Sequence, residues 1–243
     1  MIKSIYSIYK REISDFFNSP IAYVFFIIFI IIPNIIFFYF LGGVFGEKVA
    51  TMRIYFMILP YVFVLFIPGL TMGAWSKERS TGTIELIFTL PVSEINILLG
   101  KFFASLTLVC IALLSTLSIP ILTSFLLGNF DWGQIFTQYI GAILLAGCCI
   151  SAAFFFSSLT KELINAFLLS SSFLFIFTIS GFISRKMESF YYIKIFLNNI
   201  SLWSHFLNFG KGVIDSRDVF YYLGIIIIFF YLNLRALESK RWS

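Results

Sequence analysis

The sequence predicts an all-α membrane protein with six transmembrane helices, and three observations predict it. Hydrophobic residues make up 60% of the 243-residue chain and charged residues only 12%, where soluble proteins carry about 25% charged residues. Several windows hold the run of roughly 20 apolar residues that a bilayer core about 30 Å thick demands. Between those windows no stretch is long enough to hold a soluble catalytic domain. Two units are expected: an amphipathic interface helix over 1–20, and a single transmembrane domain over 21–243. The domain includes a polar loop over 75–96 and an outer segment over 183–218.

The first element is the helix in MIKSIYSIYKREISDFFNS. Ile2, Ile5, Tyr6, Tyr9, Ile13, Phe16 and Phe17 form one stripe on a 3.6-residue wheel, and Lys3, Lys10, Arg11, Ser14 and Asn18 form the opposite face. Ile8 is the apolar exception. A helix of this kind lies in the membrane interface. Two readings stay open: a plain anchor, or an anchor that also touches a cytoplasmic partner. Residues 1–20 lack the continuous apolar run of a cleavable signal peptide.

Six spans are expected over 21–41, 52–73, 97–120, 134–158, 163–182 and 219–237. Pro33 and Pro60 fall inside the first two, where they kink the helix or pack on a neighbour. Pro120 marks a break in a third hydrophobic segment that runs on to Leu127. With the N-terminus inside, inner segments hold ten Lys and Arg against seven outside. That bias has the sign expected for cytoplasmic termini. The net charge of +5 is accounted for by such flanking residues and gives no nucleic-acid signal; the partner surface it implies is membrane lipid. Segment 183–218 mixes aromatic and aliphatic residues with Asn, Ser and Gly and contains no span-length run. Its Tyr and Trp favour the interface, which predicts short re-entrant or interfacial helices on the outer side.

Several chemistries lack their residues. The spans hold almost no ionisable group of the kind that marks ion paths and proton relays. No G-x-x-x-x-G-K-[ST] or H-E-x-x-H pattern occurs, so neither a P-loop nor that zinc site is expected, and a single His builds no His-rich metal site. His205 is expected as a hydrogen-bonded residue of the outer segment. Cys110, Cys148 and Cys149 fall in apolar spans and are expected as packing residues, inert when buried. The serines at 151, 157, 158 and 170–172 have no His or Lys partner at span depth, which argues against an intramembrane enzyme. Gly69 and Gly73 form a G-x-x-x-G that lets helices approach closely, and Gly141, Ala142, Ala146 and Gly147 form a second small-residue face. Both predict a tight bundle or a dimer seam.

The polar loop WSKERSTGTIELIFTLPVSEINILLGK is the best-punctuated part of the chain. Thr81, Gly82 and Thr83 supply helix-start and turn chemistry. Ile84–Leu90 forms two helical turns, Pro91 stops them, and Ser93 caps the third span. Ile84, Ile87 and Phe88 lie on one side, Leu86 and Leu90 on another, with Glu85 and Thr89 between. One apolar side can rest on the bundle or the lipid. The other has no cover in a lone subunit, as at a protein interface.

These residues resemble the permease subunits of ABC-2-type transporters, of the gliding-motility type, with a type V exporter-like fold. The resemblance rests on Ser76-Lys77-Glu78-Arg79-Ser80-Thr81-Gly82-Thr83-Ile84-Glu85-Leu86, on Thr89-Leu90-Pro91-Val92-Ser93, and on Gly100-Lys101. Tyr9-Lys10-Arg11-Glu12 resembles the family's interface helix. Ser204-His205-Phe206, Gly212–Asp218 and Arg241-Trp242 resemble its outer segment and end. The resemblance implies that the loop between spans two and three is a coupling helix docking into an ATPase, with Glu78, Arg79, Thr81, Gly82, Thr83, Glu85, Leu86, Thr89, Pro91, Val92 and Ser93 as coupling residues. It implies a permease dimer, homomeric or with a related permease, and ATP-binding subunits on other chains, which would hold ATP and Mg. It also implies a companion membrane subunit with a large extracytoplasmic domain, a bacterial cytoplasmic-membrane location, and no catalysis in this chain. The cargo would be lipid-like or amphipathic, or absent, with force passed to an outer partner. The alternative is a membrane scaffold or channel-like subunit that needs no ATPase.

Overall fold

A computed structural model describes residues 2–40, 52–85, 92–127, 131–187 and 190–241. Every regular element among them is helical. α1 (Ile2–Phe17) is the interface helix, and α2 (Pro20–Ile35) continues into a π-helical turn at Ile36–Phe40. The helix α3 (Arg53–Thr71) leads into α4 (Gly73–Ser80). Next come α5 (Glu94–Thr116), α6 (Ser118–Leu127), α7 (Trp132–Leu159) and α8 (Leu163–Lys186). Two short helices, α9 (Tyr191–Ile200) and α10 (Leu202–Phe209), precede the last, α11 (Ser216–Arg241).

Among the described residues five helical stretches are long and apolar enough to cross a membrane: Arg53–Ser80, Glu94–Phe125, Trp132–Leu159, Leu163–Lys186 and Ser216–Ser239. A shorter apolar helix spans Tyr23–Tyr39. The chain is a multi-pass membrane protein.

α7 is the hub. It packs against α3, α4, α5, α8, α10 and α11, because its small residues let neighbours come close. A Cβ on Gly141 would lie 2.6 Å from the Phe209 ring of α10, and one on Gly147 would lie 3.1 Å from Ile226 of α11. That small-residue face is therefore consumed inside one chain. Gly69 does the same for α2 and α3, since its Cβ would fall 2.3 Å from the Phe25 ring. Phe29 packs on Phe66 (ring centroids 4.4 Å apart) along the same α2–α3 seam.

Local detail departs from the sequence reading in three places. The second apolar helix is interrupted only by a turn at Met72 and stays helical to Ser80, so the first residues of the expected loop are helix. The break in the third segment falls at Leu117, just before Pro120. Pro120 has no N–H to bond the Thr116 carbonyl four residues back, and its ring crowds that carbonyl. On α1 only part of the stripe turns to the core, Phe16 among it. Ile8, the exception, packs against the core, while Tyr6 is 63% exposed. The stripe serves two surfaces, and the protein takes the edge that contains Ile8.

Candidate functional site

The site lies where α1, α4 and α5 meet. α1 lies against the start of α5 because Gly100 leaves a gap there: a Cβ would come within 2.8 Å of the Ile8 side chain and 3.1 Å of the Ile5 carbonyl. Tyr9 extends the contact, its hydroxyl 3.3 Å from Thr107 Oγ1. This docking carries Glu12 one helical turn past Ile8 to Lys101.

Lys101 is 3% exposed and donates to two carboxylates, Glu12 Oε1 at 2.9 Å and Glu78 Oε1 at 2.7 Å. Its ammonium also lies 5.3 Å from the centre of the buried Trp75 ring, a cation–π arrangement. Arg11 Nη2 closes the cluster at 3.1 Å from Glu12 and 3.7 Å from Glu78. Two cations and two carboxylates thus meet from three helices that are 89 and 23 residues apart in sequence. Burial raises the Glu12 pKa, but Lys101 and then Arg11 outweigh it, and the carboxyl is held below its ordinary value. It stays ionised in the folded protein. Glu78 Oε2 is buried with no hydrogen-bond partner among the described residues. Arg11 is half exposed and adds little, about 0–1 kcal/mol, as exposed ion pairs do. The buried Lys101 is the member on which the others depend.

α4 is fixed on its other side by α7. Ser157 Oγ accepts from the N–H of Trp75 at 3.1 Å and of Ser76 at 3.2 Å, and its hydroxyl donates to the Met72 carbonyl at 2.8 Å. Ser157 satisfies the free N–H groups left by the break at Met72. Arg79 Nη1 donates to the Ser158 carbonyl at 2.6 Å.

The T-G-T turn closes this helix and leads into the next, whose first helical residues are Thr83, Ile84 and Glu85. Thr81 donates to the Lys77 carbonyl at 2.9 Å and Thr83 to the Glu78 carbonyl at 3.3 Å. Gly82 sits at φ +72°, the left-handed conformation common just past a helix end. Thr81, Gly82, Thr83 and Glu85 are exposed, while Ile84 and Val92 are partly buried and pack against the core. Ser93 takes the N-cap position of α5 with extended backbone, but its side chain makes no capping bond. Leu86, Thr89 and Pro91 lie outside the described residues. Lys10 is exposed on the far side of α1. A Cβ on Gly73 would lie 3.4 Å from Leu163 of α8.

The site therefore joins Arg11, Glu12, Glu78 and Lys101, with Trp75 and Ser157 as supports. Sequence reasoning placed Glu78 and Lys101 at the two ends of the loop and Glu12 on the interface helix, without pairing them. An available signal was the charge itself, because a Lys inside an apolar helix needs buried partners. Ser157 gave no such signal, since span serines most often bond their own helix.

A second polar constellation ties the segment between α8 and α11 together. His205 Nδ1 lies 2.6 Å from Asp218 Oδ1 and Nε2 lies 3.1 Å from the Asn199 carbonyl. The imidazole stacks on Tyr221 at 3.8 Å. Asn208 donates to the same Asp218 oxygen at 3.2 Å, and Tyr222 donates to the Leu202 carbonyl at 2.8 Å. Arg185 stacks over Trp203 at 4.5 Å. His205 is thus hydrogen-bonded, as expected. Among the described residues no group of His, Cys, Asp and Glu is arranged to hold a metal ion.

Residues 48–232 match the family model described as ABC-2 family transporter protein. No curated protein matches the chain. The matched span covers well over half of the chain and includes the loop after α4, the hub helix α7 and the segment joined by His205. The chain belongs to the ABC-2 transporter family, whose permeases are the membrane components of ABC transporters.

Proposed function

We propose that this chain is the membrane subunit of an ATP-driven ABC-2-type exporter or force-transmitting complex, and that residues 80–93 are its handle for a separate ATPase. The helix over Tyr23–Tyr39 serves as the first of six spans. Both termini and α1 face the bacterial cytoplasm, and α9 and α10 are interfacial helices at the opposite surface. Two permeases pair, as a homodimer or with a related chain. ATP and Mg are held by the partner ATPase. The cargo is lipid-like or amphipathic, or the movement is passed to a companion with a large extracytoplasmic domain.

The observation that carries this reading is the Glu12–Lys101–Glu78 cluster. A push on the exposed turn at Thr81–Thr83 acts on α4. α4 is bonded to α7 through Ser157 and to α1 and α5 through Lys101. A displacement of the handle is thus passed to the hub helix, to the third hydrophobic segment and to the surface helix together.

The test is ATPase stimulation in a complex reconstituted with the cognate ATPase. Glu78→Ala, Glu85→Ala and Leu86→Asp should each cut stimulation by about tenfold, some 1.4 kcal/mol of coupling, while the chain still inserts. Full stimulation in all three variants would refute the reading. A tagged chain that purifies without an ATPase would favour a scaffold instead.

A further inference from the structure

A partly open cavity of about 550 Å³ lies among α1, α2, α3, α4, α5, α7 and α8, within the roughly 300–1,000 Å³ of small-ligand pockets. Its lining is of two kinds. Phe25, Leu70, Phe154 and Leu163 are apolar, while Arg11, Glu12, Asp15, Lys77, Glu78 and Lys101 are ionisable. The two kinds are separated along the helix direction. Leu70 precedes Lys77 by seven residues, a rise of about 10 Å at 1.5 Å per residue. The cavity therefore has an apolar part at span depth and a charged part beside α1, the polarity of an amphipathic ligand.

The charged part is balanced, with three cations against three carboxylates. Arg11, Lys101, Glu12 and Glu78 engage one another. Lys77 and Asp15 both line the cavity and make no ion pair among the described residues. A ligand group of one sign gains no net attraction from a balanced set, whereas a group carrying both signs meets a partner for each. Glu78 adds a buried carboxylate oxygen that lacks a donor, and buried polar groups are nearly always satisfied. The small residues at 69 and 73 that suggested a helix seam also line this space. Among the described residues a Cβ at Gly73 would lie 3.4 Å from Leu163 and 3.8 Å from Lys77 Cβ.

We propose that this cavity binds one membrane phospholipid per chain, its apolar part among Phe25, Leu70 and Phe154, and a zwitterionic phosphate–ammonium headgroup between Lys77 and Asp15. The headgroup phosphate meets Lys77 and its ammonium meets the Asp15 carboxylate. The proposal rests on the cavity alone and holds whether or not an ATPase drives the chain.

The full-length chain is purified in mild detergent after exposure to vesicles of equal parts phosphatidylethanolamine and phosphatidylglycerol, and retained lipid is read by native mass spectrometry. Wild type should keep one phospholipid per chain, the ethanolamine lipid in excess. Gly73→Leu fills the cavity and should lower retention by about tenfold, or 1.4 kcal/mol. Asp15→Lys alters an exposed residue and should abolish the headgroup preference; it decides the matter if Gly73→Leu does not insert. Equal retention of the two lipids by wild type, or equal retention by wild type and Gly73→Leu, would overturn the site. Displacement of the lipid by soluble phosphoethanolamine alone would overturn its apolar half.

Discussion

The protein ties its helices together with polar side chains at two places, and the two are built differently. At the first, Glu12, Glu78 and Lys101 come from α1, α4 and α5. At the second, His205, Asn208, Asp218, Tyr221 and Tyr222 all fall within one short stretch of sequence. The first is a joint between distant elements and borders a cavity. The second is a local clamp in which a His, an Asn and two Tyr residues converge on one carboxylate and neighbouring carbonyls. Charge shared among distant helices permits the pieces to separate, because each helix keeps its own backbone bonds when the pair breaks. A local clamp cannot release its carboxylate without unfolding the turn that carries it. The difference teaches where this protein can move: at the end that holds α4.

The largest effect should come from breaking the joint. Lys101→Met fills much the same volume but leaves Glu12 and Glu78 facing each other, largely buried, with only the half-exposed Arg11 as counter-charge. Removing one partner of a buried ion pair costs about 3–5 kcal/mol. The loss should appear as a lower unfolding temperature in detergent and as early amide exchange in α1, with α9–α11 unaffected. Exchange spreading first through α9–α11 would contradict the assignment of the two regions.

Breaking the clamp should cost less. His205→Ala leaves Asp218 its Asn208 bond at 3.2 Å but removes the shorter contact and the ring stacked on Tyr221. A buried acceptor deprived of one partner costs about 1–3 kcal/mol. Amide exchange in α10 and the first turn of α11 should quicken, while α1 keeps its protection. Combined with Lys101→Met, the two losses should add, since the sites share no residue and independent sites are additive.

How far each region could be read from sequence follows from the same contrast. Apolar run length placed the long helices, since lipid imposes a length that composition reveals directly. The T-G-T turn and the helix that starts at Thr83 were visible through residue types, but the helix that the turn closes was not. Thr83→Glu78 and Thr81→Lys77 bonds form only if the preceding segment is helical, and its polar sequence disguised that. The ionic joint was unreadable as a pairing because nothing local relates Glu12 to Lys101. Only the docking of Ile8 on Gly100 sets that register, and Ile8 was the residue the wheel set aside. The His205 clamp, by contrast, needs only residues close in sequence, and a hydrogen-bonded His was expected there.

The smallest effect concerns the exposed turn that leads from the joint into the proposed handle. Gly82 holds φ +72° with no atom of the described residues within 4 Å of where a Cβ would stand, so backbone conformation is the constraint. An L-residue in that region costs about 1–2 kcal/mol, and Asn pays least because its side chain bonds locally. Gly82→Ala should therefore loosen the end of α4, freeing the Lys77 and Glu78 carbonyls that Thr81 and Thr83 now bond. Gly82→Asn should restore most of the loss. Amide exchange at Thr81 and Gly82, whose N–H groups bond the Lys77 and Arg79 carbonyls, is the readout. Quickening in Ala with recovery in Asn ties the turn to its left-handed residue. Equal protection in both would mean that the handle is held by its contacts with the bundle at Ile84 and Val92, and that the turn merely follows.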